Sequence, residues 1–214
     1  MNIVIFGAGG HGRVVLDILK HDRRVNLAGF IDDNRNSHQK IIDGVRVLGD
    51  VTRLPELIAA HNLDGCVVAI GDNKVRAKLF AKVKHLGLKL ENAIHPNALI
   101  AKDVEIGEGV VIASGAIINT GTRIGNNVII NTGVVIDHNN IIEDNVHISP
   151  GAKLAGEVTV KKYAHVGIGV TVVPHLTIGE SAVVGAGAVV QEDIPDDSTA
   201  VGVPARVIKS KKKS

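Results

Sequence analysis

From Ile94 to Val190 every sixth residue is aliphatic, running through Ile100, Ile106, Ile112, Ile148, Leu154, Val160 and Ile178 without an insertion. A helix repeats its apolar face every 3.6 residues and a strand every 2. Six is neither, so the repeating unit is a strand plus a turn. The residue two before each step is mostly small or branched, as at Ala98, Val104, Val110, Ala116, Thr122, Val128 and Ala152. Residues two apart on a strand share a face. Each unit therefore turns one small and one aliphatic side chain inward. Hexapeptide periodicity is a signature of a parallel β-helix, in which stacking buries an inner face that one coil cannot bury alone. Gly107, Gly125 and Gly179 recur at the expected turns and are read as positions of positive φ.

A narrow coil interior also accounts for the shortage of rings. Aromatic residues make up 2% of the chain, and Phe6, Phe30 and Phe80 all precede the repeat, leaving Tyr163 alone inside it. The apolar fraction of 45% supports a folded core. A net charge of +2 gives no argument for nucleic acid. The basic residues Lys209, Lys211, Lys212 and Lys213 read as a solvated tail. The single Cys66 excludes an internal disulfide and suits the cytoplasm. No apolar run reaches the length of a membrane span, and the N-terminus lacks the basic region and cleavage site of a signal peptide. Membrane insertion is therefore not expected.

Before the repeat, short apolar strands alternate with helical patterns. "NIVIF" (2–6), "LAGFID" (27–32), "VRVLGD" (45–50) and "GCVVAIG" (65–71) read as strands. Helices are expected after Gly12, with Val14, Val15, Ile18 and Leu19 as the apolar face, over 52–61 with Pro55 in the first turn, and from Asp72 or Asn73 to about His85. Such alternation implies a small Rossmann-like α/β domain with a parallel sheet. The expected division is 1–92 for this domain, 93–195 for the β-helix and 196–214 for a C-terminal cap and tail. "VGVPARVI" (201–208) breaks the period and is expected to cover the last coil, whose edge would otherwise be open.

Gly7, Gly9 and Gly12 form a G-x-G-x-x-G loop between a strand and a helix, and Asp32 ends the next strand. Glycines let the backbone approach a phosphate, and a helix N-terminus favours anions. A dinucleotide site, a purely structural tight turn and a single nucleotide-linked ligand all fit. The first is disfavoured because the chain has little room for a second mononucleotide half before the repeat.

"IGEGVV" (106–111) and "IGESAV" (178–183) resemble the repeat of the hexapeptide acyltransferases, in which three hexapeptides make one left-handed triangular coil. Together with "GAGGHG" (7–12), Asp32-Asp33 and "AIGDN" (69–73), the chain resembles one subgroup. These are the N-acetyltransferases of nucleotide-activated 4-amino sugars, of the bacillosamine and perosamine type, with the sialic-acid O-acetyltransferases beside them. The resemblance implies a homotrimer that takes acetyl-CoA between neighbouring coils and acetylates a nucleotide-linked amino sugar. It places Gly9, Gly10 and His11 against the sugar nucleotide. Asp32 and Asp33 go to the nucleoside, Gly71 to the same pocket and Asn131 near the sugar. His138, in "NTGVVIDHNN" (131–140), is implied as the catalytic base, and His147, Ile168 and Ala186 as acetyl-CoA contacts. Relatives commonly carry Asp or Glu after the base; here Asn139 stands there, able to orient an imidazole but not to stabilise imidazolium as a carboxylate would.

Three expectations come from position alone. Asn140 falls in the inward series, where an amide must find hydrogen bonds, and is expected to pin the backbone under His138. His147 and His165, eighteen residues apart, should stack at the ~4.8 Å strand spacing. Outward Val111, Ile117, Ile129 and Val135 exceed what a monomer exposes, which favours the trimer. The coil histidines lack the close pair of a hexapeptide zinc site, so no metal is expected. A sugar O-acetyltransferase and an inactive nucleotide-binding scaffold remain as rivals.

Overall fold

The structure, a computed structural model, describes residues 1–210, so Lys211, Lys212 and Lys213 of the expected tail lie outside the described residues. The described chain divides into two compact units, Met1–Pro96 and Asn97 onward.

In the first unit, β1 (Asn2–Phe6), β2 (Asn26–Ile31), β3 (Ile41–Ile42), β4 (Val45–Gly49), β5 (Gly65–Val68) and β6 (Lys89–Leu90) form one sheet in the order β3-β4-β2-β1-β5-β6. All neighbours are parallel except the β3–β4 hairpin. Val4, Ile5, Phe6, Cys66, Val67 and Val68 are buried, as continuous apolar runs in a central parallel sheet should be. Helix α1 (Gly10–Lys20) buries Val15, Leu16, Ile18 and Leu19. Val14, expected inside, is 36% exposed, because the buried arc is centred between Val15 and Leu19 and Val14 falls outside it. Helix α2 (Leu54–His61) carries its proline in the first turn. Helix α3 (Asn73–His85) is capped by Asp72, whose carboxylate accepts from Lys74 and Val75 N–H at 2.9 and 2.8 Å. The chain winds from β1 through β2 to β4 and then returns to β5 on the other side of β1. That reversal opens a crevice at the carboxyl ends of β1 and β5, where open α/β sheets bind ligands.

The second unit is a parallel β-helix. Its two-residue strands pair with strands eighteen residues on, as in Val111↔Ile129, Ile129↔His147, His147↔His165 and His165↔Val183. Three such stacks make the sides. Ile112, Ile130, Ile148, Val166 and Val184 form one buried column, and Ile118, Ile136, Leu154, Val172 and Val190 another. Each buried aliphatic of this size contributes on the order of 1.5–3 kcal/mol. The first aliphatic step behaves differently. Ile94 is 38% exposed rather than buried.

The turns also differ from expectation. Positive φ recurs every six residues at Gly109, Gly115, Gly121, Asn127, Gly133, Asn139, Asn145 and Gly151, not at Gly107, Gly125 or Gly179. Those three are glycine for another reason. A Cβ on Gly125 would lie 2.8 Å from the backbone nitrogen of Asp144, and one on Gly179 would lie 2.4 Å from that of Asp196. They let one coil stack closely on the next. At the C-terminal end Ser198–Val201 adds to Val183–Val184, and Arg206–Ser210 folds back antiparallel on it, so this hairpin covers the last coil.

The outward apolar positions need correction. Val111 and Ile129 are 1% and 0% exposed, so they offer no surface to a second copy. Ile117 is at the surface, as are Leu99, Ile141, Ile168 and Val183.

Candidate active site

In the first unit the crevice is a pocket of about 370 Å³, lined by Gly7, Asp32, Asp33, Val51, Ile70, Lys78 and Lys82 among others. Two glycines of the loop are required by the fold. Gly7 has φ +100°, and a Cβ on Gly12 would lie 2.0 Å from the Gly7 carbonyl oxygen. Gly9, Gly10 and Gly71 are different, since a Cβ on any of them would meet nothing within 4 Å. The fold gives no steric reason for glycine at these three exposed positions, which leaves backbone open to a ligand. Helix α1 begins at Gly10, so Gly10 and His11 stand in its first turn rather than in a free loop. His11 is half-buried, and desolvation with the nearby Arg76 charge lowers its pKa to about 4. It is a neutral imidazole at physiological pH.

Asp32 and Asp33 are committed to the backbone. Asp32 accepts from Ala8 N–H at 2.6 Å and from Asn34 N–H at 2.8 Å, bracing the glycine loop. Asp33 accepts from Val51 N–H at 3.0 Å. Arg76, fully buried, was not apparent from sequence, since a lone arginine in a helix gives no signal. It donates to the carbonyls of Ile70 and Gly71 at 3.0 and 3.2 Å and to Asn73 Oδ1 at 2.8 Å, and so sets the backbone beside the pocket. Burial lowers its pKa to about 10, still well above neutrality.

In the second unit His138 stands exposed on a coil corner. Its ring lies over Gly156 of the next coil, where a Cβ would come within 2.4 Å of Cε1 and 2.6 Å of Nε2. Asn139, at φ +58°, brings its amide nitrogen to 3.3 Å from His138 Nδ1. Asparagine tolerates that left-handed conformation well. Asp137 does not reach the ring. It accepts from Asn119 Nδ2 and from His138 N–H, both at 2.9 Å, and these bonds hold its carboxyl below the usual range.

Beneath the corner, Asn140 is fully buried, and its amide donates to the carbonyls of Asp137, His138 and Ala155 at 2.7, 3.2 and 3.0 Å. Thr122, eighteen residues earlier in the same inward column, donates to the Asp137 carbonyl at 3.1 Å. Burying an amide costs several kcal/mol unless it is hydrogen-bonded. This polar interruption of an apolar column occurs under His138 and pins its backbone. A histidine–carboxylate pair also exists on the coils, His175 Nδ1 to Glu157 Oε2 at 3.0 Å, which a search for adjacent residues misses because the partners are one coil apart.

A groove of about 450 Å³ on one side of the coils gathers Asn131, His147, Ser149, His165, Ile168 and Ala186. The rings of His147 and His165 stack at 4.7 Å, as the eighteen-residue spacing predicts. Asn131 lies 3.4 Å from His147 Nε2, and Ser149 Oγ lies 2.9 Å from His165 Nε2. Asn131, expected near the sugar, thus lines the same groove as His147, Ile168 and Ala186.

Residues 2–83 match the PglD N-terminal domain family. Over 119 residues the chain is 39% identical to UDP-N-acetylbacillosamine N-acetyltransferase of Bacillus subtilis, a match spanning 52% of this chain and about half, 50%, of that relative. PerB from Caulobacter crescentus, solved in complex with CoA and GDP-perosamine, is 41% identical over 98% of each chain, with a TM-score of 0.91. The chain belongs to the perosamine- and bacillosamine-type N-acetyltransferases. The acetyltransferase domain of PglB from Neisseria gonorrhoeae, solved with acetyl coenzyme A, covers 97% of this chain at 31% identity and a TM-score of 0.89. The coils are thus the left-handed β-helix of this N-acetyltransferase family. Within the family frame, Gly156 and Arg76 are the two positions that sequence reasoning missed. Gly156 had a usable signal, since it lies eighteen residues, one coil, after His138.

Proposed function

We propose that this protein transfers the acetyl group of acetyl-CoA to the 4-amino group of a nucleotide-linked amino-deoxy sugar, with His138 as general base. The observation that carries the reading is an exposed imidazole on a backbone fixed by a buried amide, in a chain that matches PerB along nearly its full length. The nucleotide would sit at the carboxyl ends of β1 and β5, its phosphates near the open backbone of Gly9 and Gly10 and its nucleoside toward Asp33 and Gly71. Acetyl-CoA would lie along the groove of His147, Ile168 and Ala186.

The amine nitrogen attacks the thioester carbonyl, His138 takes the amine proton, and the CoA thiolate leaves as the amide forms. Proton uptake at Nε2 requires the proton on Nδ1. The Asn139 amide then presents its oxygen to Nδ1–H, the other of its two orientations. No covalent intermediate is needed. Cys66, the sole thiol, is fully buried, and desolvation pushes its pKa up, away from nucleophilic use. The homotrimer is part of the proposal, supported by the exposed Leu99, Ile117, Ile141 and Ile168 of the coils. Work in the cytoplasm is supported by the unpaired cysteine. Among the described residues no helix is long and apolar enough to cross a membrane.

The test is CoA release with a nucleotide-linked 4-amino sugar, its 4-hydroxy analogue, the free amino sugar and no acceptor. Release should depend on the first alone. Turnover with the 4-hydroxy analogue would make the protein an O-acetyltransferase, and release with no acceptor dependence would remove the assignment.

A further inference from the structure

Asp17 and His21 are four residues apart and share a face at the end of α1, where His21 is the C-cap. His95 follows the strand Ala93–Ile94 and is 7% exposed. Each of the three offers one ligand atom, and these atoms all lie within 4.8 Å of one another. The rings of His21 and His95 meet edge to face, with centroids 5.1 Å apart. None of these side chains has a part in the chemistry above. We propose that Asp17, His21 and His95 bind a divalent transition-metal ion of the zinc or nickel class, tying the end of α1 to the segment that closes the first unit.

Two imidazole nitrogens and one carboxylate oxygen suit such an ion, whereas calcium and magnesium favour oxygen alone. Bonds of ~2.0–2.2 Å require the ligand atoms to draw together by at most roughly 1.5 Å. Asp17 and His21 are exposed and free to turn toward His95, which burial holds in place. The helix contributes as well, since its C-terminal carbonyls put partial negative charge beside the cation. The nearby charges are engaged elsewhere. Asp22 is paired with Arg24 at 2.7 Å, and Lys20 Nζ reaches the Asp43 carbonyl at 3.4 Å. The site is structural rather than catalytic, because the length of α1 puts His21 roughly 15 Å from the glycine loop. Solvent completes the coordination on the exposed side. The expectation of no metal came from the spacing of His138, His147, His165 and His175, none of which belongs to this cluster.

The test uses the full chain stripped with EDTA. Cobalt is titrated by visible absorption and zinc by calorimetry, each with a thermal melt. One equivalent should bind per chain and raise the Tm. The Asp17→Ala/His21→Ala double variant changes only exposed side chains. It should match the apo wild type in Tm yet lose that equivalent and the rise. If the variant's apo Tm falls, His21→Asn alone should still abolish the cobalt spectrum. Absence of binding by the wild type overturns the proposal. So does an unchanged equivalent in both variants, which would put the ion elsewhere, for instance on the stacked His147 and His165.

Discussion

Replacing His138 with alanine should lower kcat by about 10²–10⁴-fold, the range for a lost general base, with acetyl-CoA affinity nearly unchanged. A base acts on a proton in transit and adds little to ground-state binding, so the loss belongs in kcat. His138 is an exposed corner residue, and the hydrogen bonds that fix the corner run through its backbone carbonyl and N–H, which alanine keeps. The fold should therefore survive, with a melting temperature close to wild type. Steady-state kinetics with calorimetric titration of acetyl-CoA separates the two effects. Full activity in His138→Ala would leave simple proximity, or the exposed His175–Glu157 pair, as the remaining route to proton removal.

Gly156→Ala should act on the same step without touching the base itself. The added methyl would occupy the space of the His138 ring, 2.4 Å from Cε1, and the ring is what must move. Gly156 does not have positive φ, so alanine fits its backbone. A misplacement of about 1 Å in a catalytic group costs on the order of 10²-fold, and a fall of that size in kcat is expected here. Stability should change little, because the displaced ring is at the surface. Combined with His138→Ala, the Gly156 change should have no further effect, since the ring it displaces is gone. An additive loss would show that Gly156 acts through something other than His138.

The six-residue beat made the coils legible because stacking imposes one rule on every turn, and the inward columns obey it. Asn140 could be read for the same reason, since a polar residue in an apolar column needs partners, and its amide nitrogen finds three carbonyls while Oδ1 has none among the described residues. The stacked His147 and His165 followed from the eighteen-residue coil. Turn chemistry was less legible. Gly107, Gly125 and Gly179 look like positive-φ glycines in sequence, yet steric contact with the next coil is what demands them. Which outward residues are covered depends on the rest of the chain, so Val111 and Ile129 were misplaced while Ile117 was not. In the first unit, the pocket followed from the strand–glycine–helix order. The engagement of Asp32 with Ala8 N–H, and the hold of Arg76 on the Ile70–Gly71 backbone, depend on tertiary contacts that no local pattern records.

The most direct test is the pH dependence of kcat/KM in the wild type and in Asn139→Asp. An aspartate at 139 places a carboxylate beside Nδ1, which stabilises imidazolium and holds the proton on Nδ1. The neutral imidazole is the active form, so a histidine that stays protonated to higher pH becomes active later. The acid limb should shift to higher pH in Asn139→Asp. Asp137→Asn should move it far less, and toward lower pH, because Asp137 is bound to Asn119 and the His138 N–H and reaches the ring only through its charge. An acid limb unmoved by Asn139→Asp would contradict His138 as the base.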